Sequence, residues 1–281
     1  MNSIENLKEI SRVIRKDIVE MLTESASGHP GGSLSIADII ATLYFKEMNI
    51  DVKNPKDENR DRFVLSKGHA APALYSALAR KGFFDAKELK TLRKIGSKLQ
   101  GHPNMNDLPG IDMSTGSLGQ GISAAVGMAL AGKFDNKSYR TFAVLGDGEL
   151  EEGQVWEACM SAYKNKLDNL CLILDNNGLQ IDGKITDVAG LDNIEGKFAS
   201  FGFNVLNVDG NNISQLIDAF NTAKQTKGEP TIIIAKTVKG KGVSFMENKA
   251  EWHGQAPTKE QYDEAITELD TNEANEFKET F

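Results

Sequence analysis

The stretch TFAVL at residues 141–145 is followed directly by GDG at 146–148. A second apolar run, LCLIL at 170–174, is followed by DNNG at 175–178. Continuous apolar runs of this length are typical of strands that are buried on both faces of a parallel sheet. Ligands of such sheets lie beyond the carboxyl ends of the strands. The two runs therefore predict neighbouring strands whose ends bring Asp147 and an asparagine pair to one ligand site.

The same alternation extends outward from this pair of runs. Segments with helical spacing of apolar residues lie between short apolar runs, and Ser35 is the expected N-cap of the second such segment. The predicted further strands are 63–65, 203–208 and 231–235, and the predicted helices are 4–22, 35–44, 70–80, 154–166, 190–201 and 213–226. The pattern predicts an α/β fold in which helices cover both faces of a parallel sheet. We expect one domain over 1–281, with 258–281 as a helical C-terminal extension.

Composition and charge narrow the possible functions. The formal net charge is −8 over 281 residues, which disfavours attraction to nucleic acid or to an anionic membrane surface. No apolar run approaches the ~20 residues of a membrane span, and the first residues show no signal-peptide core. Cys159 and Cys171 form no CxxC pair, so we expect reduced, buried thiols. These features predict a cytoplasmic protein that binds neither nucleic acid nor membrane.

The residues at the two strand ends have the chemistry of a metal–phosphate site. Glycine lets the backbone approach a phosphate closely, and a following helix N-terminus favours negative charge. Carboxylate, amide and carbonyl oxygens are ligands for Mg²⁺. Each motif alone could equally make a turn. With 27 residues between Gly148 and Asn176, the two motifs together favour a metal and diphosphate site.

The histidines supply an independent signal. The chain has only four, His29, His69, His102 and His253, and each stands beside a glycine in a predicted loop. None lies on a predicted apolar face, so a hydrogen-bonded core histidine describes them poorly. Histidine is the side chain best suited to move protons near neutral pH. We therefore expect these four residues to belong to a reactive site.

Together these motifs resemble transketolase, in order and over nearly the whole chain. The matching segments are SGHPGG (27–32), DRFVLSKGHA (61–70), GHP (101–103), STGSLGQG (114–121), GDGELEEG (146–153), DNNGLQIDG (175–183) and KTVKGKGV (236–243) through WHG (252–254). The resemblance implies the diphosphate module of the thiamine diphosphate-binding fold. It also implies thiamine diphosphate as the cofactor, bound with Mg²⁺ or another divalent cation such as Ca²⁺ or Mn²⁺.

The resemblance implies roles for individual residues. The expected metal ligands are the side chains of Asp147 and Asn177 and the carbonyl of Leu179. The residues expected at the cofactor diphosphate, or in the turn around it, are Gly146, Gly148, His69 and His253. Those expected to line the aminopyrimidine are Gly116, Ser117 and Leu118. The residues expected to face the substrate hydroxyls and to move protons are His29, His102 and His253.

Two further groups of charged residues lie in the matching segments. Glu152 and Glu157 match acidic positions of the family at the subunit contact near the cofactor, and Glu152 is included with the cofactor-binding residues. Solvated carboxylates at a helix start are the alternative interpretation. Lys236, Lys239 and Lys241 are expected to form a solvated basic loop rather than a substrate phosphate site.

A glutamate that the family needs for activity has no counterpart in this sequence. In transketolases it hydrogen-bonds the aminopyrimidine and belongs to a second, pyrimidine-binding module that follows in one long chain. We therefore expect a split enzyme, in which a C-terminal transketolase subunit supplies that module in an α2β2 assembly. The assembly would transfer a two-carbon ketol unit from a ketose phosphate to an aldose phosphate. The closing residues FKETF at 277–281 are expected to be a natural end, with an excised fragment as the alternative.

Three other interpretations remain open from the sequence. The chain could be the alpha chain of a 2-oxoacid dehydrogenase or a relative of deoxyxylulose phosphate synthase, although SGHP and WHG favour transketolase. It could be a non-catalytic regulatory subunit, against which stand the intact Asp147, Asn177 and loop histidines. A nicotinamide-binding fold is the weakest alternative, because Gly116-x-x-Gly119-x-Gly121 follows no convincing strand.

Overall fold

The structure is a computed structural model that describes the backbone of residues 2–276 and the side chains of residues 2–271. The closing segment 277–281, which bears on the expected natural end, lies outside the described residues. The strands are β1 Arg62–Leu65, β2 Thr141–Gly146, β3 Leu170–Asn176, β4 Leu179–Gln180, β5 Gly183–Lys184, β6 Asn204–Asp209 and β7 Thr231–Lys236. Five of them form a parallel sheet in the order β1-β2-β3-β7-β6, and β4 and β5 form a small antiparallel hairpin.

All five predicted sheet strands are present, and the α/β fold is confirmed. The register sets their carboxyl ends side by side, because Gly146 pairs with Asp175 on β3 and Asn176 pairs with Lys236 on β7. The residues that follow β2, β3 and β7 therefore emerge along one edge of the sheet. This is the edge at which parallel α/β sheets bind ligands.

Helices cover both faces of the sheet. They are α1 Ile4–Ser25, α2 Pro30–Leu34, α3 Ala37–Thr42, α4 Ala71–Lys81, α5 Gln120–Phe134, α6 Gly153–Lys164, α7 Ile185–Val188, α8 Ile194–Ser200, α9 Ile213–Gln225 and α10 Lys259–Glu276. On β2, Phe142 and Val144 pack with α1, α3, α4 and α9, whereas Ala143 and Leu145 pack with α5, α6 and α8. Each such fully buried large apolar side chain stabilises the fold by about 1.5–3 kcal/mol.

Two helix predictions differ from the structure. Ser35 does not cap the second helix: it follows α2 as its C-cap, and its hydroxyl donates to Asp175 Oδ2 at 2.7 Å. The structure also contains α5, where the sequence pattern predicts no helix. The segment is apolar on every side and rich in glycine and alanine, so it lacks the periodicity by which surface helices are recognised.

The C-terminal segment is helical from Lys259 to Glu276, and it is more than a surface extension. Ala265 and Leu269 of α10 are buried in the core beside α1. The α10 carboxylates tie neighbouring segments together: Asp270 pairs with Arg12 and Lys16 of α1, and Glu268 accepts from the backbone N–H (2.6 Å) and the hydroxyl (2.5 Å) of Ser244. Helix α10 thus holds the segment 237–254 against the body of the domain.

The structure also bears on the expected state of the two cysteines and on the search for a membrane-spanning segment. Cys159 and Cys171 are free and buried, as expected. Burial raises the pKa of each thiol to about 12, so both are unreactive at neutral pH. Within residues 2–276, no helix combines the length and the apolar character needed to cross a membrane.

Candidate functional site

Asp147 follows β2 directly and is almost completely buried, with 3% of its surface exposed. Its Oδ1 accepts a hydrogen bond from the backbone N–H of Gly148 at 2.9 Å, and its Oδ2 accepts one from Gly178 at 2.5 Å. Burial, and then the nearby charge of Asp175, raises the pKa of Asp147 to about 7. A divalent cation would offset both effects, so this carboxylate fits a metal ligand.

The bond to Gly178 brings Asp147 against the turn that contains the other two expected metal ligands. The Oδ1 atom of Asn177 accepts from the backbone N–H of Leu179 at 3.1 Å, and its Nδ2 donates to Asp175 at 3.0 Å. Both hydrogen bonds fix the asparagine side chain within the turn. The three predicted ligands therefore belong to two loops that are hydrogen-bonded to each other.

A buried ion pair that the sequence pattern does not reveal lies beneath these loops. Lys67 Nζ donates to Asp175 Oδ2 at 2.5 Å and to the carbonyl of Gly32 at 2.9 Å. Asp175 also accepts from the hydroxyls of Ser35 and Thr237. Removing one member of a buried pair typically costs about 3–5 kcal/mol, because the other charge is left unpaired. The pair and its hydrogen bonds thus join the end of β3 and the segments that follow β1 and β7 to helix α2 and Ser35.

Three of the four predicted histidines come together above this ion pair. We call His29, His69 and His253 the histidine trio; their ring centroids lie 5.3, 5.5 and 5.1 Å apart. Burial is the main cause that lowers the pKa of His29 to about 4, that of His253 to about 3, and that of His69 well below its usual value. The trio is therefore neutral at pH 7. Each ring can donate one hydrogen bond and accept another.

His29 has a second unusual property. Its backbone adopts the left-handed region, with φ of 81°, at the residue before α2. Its Nδ1 is buried and has no hydrogen-bond partner among the described residues. Such conformations and unpaired polar atoms are costly and recur at functional sites. Both observations support the expected role of His29 toward a bound ligand.

His102 is exposed at the rim and makes no ring contact with the trio, but it lies near enough that its charge contributes to the lowered pKa of His29 and His69. Its ring packs on Gly116, where an added β-carbon would lie 3.0 Å from His102 Cγ. Gly116 has φ of 144°, which favours glycine, and an added β-carbon on Gly68 would lie 2.7 Å from the Gly116 nitrogen. The loop expected to line the aminopyrimidine is thus sandwiched between the His69 loop and His102. Within it Ser117 is exposed and Leu118 is half-buried.

The prediction of a solvated basic loop is wrong for Lys239. This side chain is only 1% exposed, and its Nζ lies 3.2 Å from His253 Nδ1 and 3.4 Å from the carbonyl of Leu179. Burial, and then Lys67, lowers the pKa of Lys239 to about 8. Lys236 is exposed but ends strand β7, and Lys241 is half-buried in the loop that follows. A charge run in sequence does not reveal that one of its members turns inward.

Lys239 and Lys67 pack closely against the glycine pair Gly31-Gly32. An added β-carbon on Gly32 would lie 3.3 Å from Lys67 Nζ and 3.4 Å from His69 Nε2. On Gly31 it would lie 2.9 Å from Lys239 Cγ. Two ammonium groups, an imidazole and glycine backbone are donors suited to a diphosphate. Beside Asp147 they fit a diphosphate bound together with a divalent cation.

The expected acidic positions lie at the rim. Glu152 and Glu157 are exposed, at the start and on the outer surface of α6. An added β-carbon on Gly119 would lie 2.9 Å from Glu152 Cβ, so Glu152 borders the Gly116–Gly119 loop. No strand precedes that loop between Leu65 and Thr141, all of which the structure describes, and this removes the support for a nicotinamide-binding fold.

Comparison with known proteins identifies relatives of this chain. The family described as "Transketolase, thiamine diphosphate binding domain" matches residues 5–279. The chain is 46% identical over 265 residues to the 6-deoxy-6-sulfo-D-fructose transketolase subunit of Clostridium sp. (strain MSTE9), covering 94% of this chain and 96% of that protein. It is 43% identical over 266 residues to an apulose-4-phosphate transketolase subunit of Phocaeicola vulgatus, covering 95% and 94%.

The structure also resembles a complete transketolase. The crystal structure of the enzyme from Campylobacter jejuni matches with a TM-score of 0.90 at 35% sequence identity. The match covers 95% of this chain and 43% of that chain. This chain therefore spans nearly the full length of the two relatives named as subunits, but less than half of the solved enzyme.

Proposed function

The chain belongs to the transketolase family, and we propose that it is the cofactor-binding subunit of a two-chain, Mg²⁺-dependent transketolase. The observation that carries the proposal is the convergence of Asp147, Lys67, Lys239 and the histidine trio at one edge of the sheet. The assembled enzyme would transfer a two-carbon ketol unit from a ketose phosphate to an aldose phosphate. Thiamine diphosphate, when bound, supplies the electron sink for carbon–carbon cleavage.

We assign the charged end of the cofactor to the buried part of the site. The Asp147 and Asn177 side chains and the Leu179 carbonyl would hold the divalent ion. Gly148, His69, His253 and Lys239 would contact the diphosphate. Lys239 is added to the residues expected from the sequence because its buried ammonium lies beside His253 and Leu179.

The histidines would act on the substrate. Because burial keeps His29 and His253 neutral at pH 7, each can exchange a proton with a sugar hydroxyl without first losing a charge. His102 would contact the same sugar from the exposed rim. The opening above the trio is therefore assigned to the ketose and the aldose.

A partner chain would complete the site. Two relatives that match this chain over nearly their whole length carry the word "subunit" in their names. We infer that a second chain with the pyrimidine-binding module packs on the rim beside Ser117, Glu152 and Glu157, in an α2β2 assembly. The glutamate that activates the cofactor would come from that chain.

The test measures binding and turnover separately. Calorimetric titration of the purified chain with thiamine diphosphate should show Mg²⁺-dependent binding. A coupled assay with a ketose phosphate and an aldose phosphate should show turnover only after addition of a pyrimidine-binding chain encoded beside this one. Turnover by the chain alone would refute the two-chain proposal. Absence of Mg²⁺-dependent binding would refute the assignment of the cofactor site.

A further inference from the structure

Glu149 is a buried carboxylate that joins three loops around the site. It is 1% exposed and lies one residue beyond the GDG turn. Its Oε1 accepts from the Ser66 hydroxyl and from the Gly119 backbone N–H at 2.9 Å. Its Oε2 accepts from the Gly146 backbone N–H at 3.1 Å. One side chain thus connects the ends of β1 and β2 to the loop that precedes α5.

The surroundings of Glu149 do not explain it as half of an ion pair. No ion pair to it occurs among the residues whose side chains are described, and its three hydrogen-bond partners are one hydroxyl and two backbone N–H groups. Burying a carboxylate is costly, and here hydrogen bonds from Ser66, Gly119 and Gly146 offset part of that cost. We therefore interpret the Glu149 carboxylate as a group that fixes the relative positions of its three hydrogen-bond donors, Ser66, Gly119 and Gly146.

That geometry concerns the loop 115–119 in particular. Glycine contacts seat the loop on the end of β1: an added β-carbon on Gly68 would lie 2.7 Å from the Gly116 nitrogen. An added β-carbon on Gly121 would lie 2.6 Å from Ser66 Oγ. These contacts set how closely the loop approaches, and the Gly119–Glu149 hydrogen bond fixes its far end. Gly116, Ser117 and Leu118 lie between these two attachments.

We propose that Glu149 is a positioning residue that holds the 115–119 loop in the conformation that receives the aminopyrimidine. The proposal rests on the assignment of Gly116–Leu118 to that part of the cofactor. Glu149 would contact neither the cofactor nor the substrate. Its loss should therefore weaken the contacts to the aminopyrimidine more than those to the diphosphate and metal, which Glu149 reaches through the hydrogen bond that it accepts from the Gly146 backbone N–H.

The test compares two probes on the chain alone, in Mg²⁺ buffer. Glu149→Gln keeps the shape of the side chain but replaces one acceptor oxygen with a donor. We expect Kd for thiamine diphosphate to rise about tenfold, whereas Kd for inorganic diphosphate should rise distinctly less, because Glu149 touches the diphosphate turn through Gly146 alone. Ser66→Ala, which removes one donor only, should cause a smaller change of the same kind. Glu264→Gln, an exposed position on α10, serves as the matched control and should change neither value.

Hydrogen exchange supplies a second measurement that does not involve the cofactor. In Glu149→Gln the amides of residues 116–119 should exchange faster, while those of 177–179 keep their protection. Equal weakening of both probes, or unchanged exchange at 116–119, would overturn the positioning role. If the wild-type chain binds neither probe, the proposed function fails, and the exchange measurement still decides whether Glu149 holds the loop. If Glu149→Gln does not fold, Ser66→Ala decides both measurements.

Discussion

The candidate site has a buried floor and an exposed rim, which differ in how far their side chains are already fixed by contacts within the chain. The floor, comprising Lys67, Asp147, Asp175 and Lys239, is buried, and its side chains are held by hydrogen bonds or ion pairs. The rim, comprising His102, Ser117, Glu152 and Glu157, is exposed. A preorganised floor can bind a ligand without a partner, because little ordering remains to be done. The difference indicates that cofactor binding and turnover should be separable by mutation.

The largest effect is expected at the floor, for Asp147→Ala. Loss of the carboxylate removes a metal ligand, so Mg²⁺-dependent binding of thiamine diphosphate should weaken by at least about 100-fold. Calorimetric titration with and without Mg²⁺ measures this effect. The fold should persist, since the substitution lies at the end of β2 and removes hydrogen bonds from Gly148 and Gly178 only, while the apolar core stays intact. Binding that stays Mg²⁺-dependent would show that the metal ligands lie elsewhere.

A change at the rim should show the opposite pattern. His102→Asn should leave cofactor binding by the isolated chain unchanged, because His102 does not belong to the floor. In the assembled enzyme kcat/KM should fall by about 100-fold if the imidazole takes part in proton transfer. Parallel titration and coupled assays separate the two effects. A cofactor Kd that rises with the loss of activity would remove the distinction between floor and rim.

Substitution of Lys239 tests whether its buried ammonium group, which the sequence did not reveal, contributes to cofactor binding. Lys239→Met preserves the length of the side chain and removes its charge, and Kd for thiamine diphosphate should rise about tenfold. Lys236→Met is the matched control, because Lys236 ends β7 in the same segment but is exposed. Equal effects of the two substitutions would indicate a general electrostatic contribution instead of a specific contact.

The smallest effect concerns stability and pH. His29 and His253 have lowered pKa values in the folded chain, so the unfolded chain binds more protons at pH values around and below about 6.5. Their contribution to stability is present above that pH and is lost as the pH falls toward about 4. These two histidines therefore act to lower Tm between about pH 6.5 and about pH 4.5. The raised pKa of Asp147, about 7, acts in the opposite direction, so the comparison is made between wild type and a histidine variant. His253→Asn should reduce the slope, and an unchanged slope would contradict the neutral state of the trio.

The sequence allowed most of the fold to be predicted, because each strand is a continuous apolar run. The residues after β2 and β3 could be assigned to a candidate site because two motifs of polar residues beside glycine follow neighbouring buried strands, whereas either motif alone could equally make a turn. The histidines were recognisable because all four stand beside glycines. Three of them do come together, whereas His102 lies at the rim.

Features that depend on contacts between distant segments could not be predicted. The burial of Lys239 follows from the packing of its loop on Gly31, which is far away in sequence. Glu149 looks like one of several acidic residues in GDGELEEG until its three donors are known. Helix α5 was missed because local periodicity reports amphipathic helices only.

The strand order has a consequence for folding while the chain is being synthesised on the ribosome. β6 precedes β7 in the chain but pairs only with β7, which inserts between β3 and β6. Until residue 236 has emerged, β3 lacks a neighbour on one side and exposes an open, apolar edge that includes Asp175. Unpaired edges of slow-forming parallel sheets invite aggregation. A chaperone that shields β3 until β7 arrives should therefore raise the soluble yield.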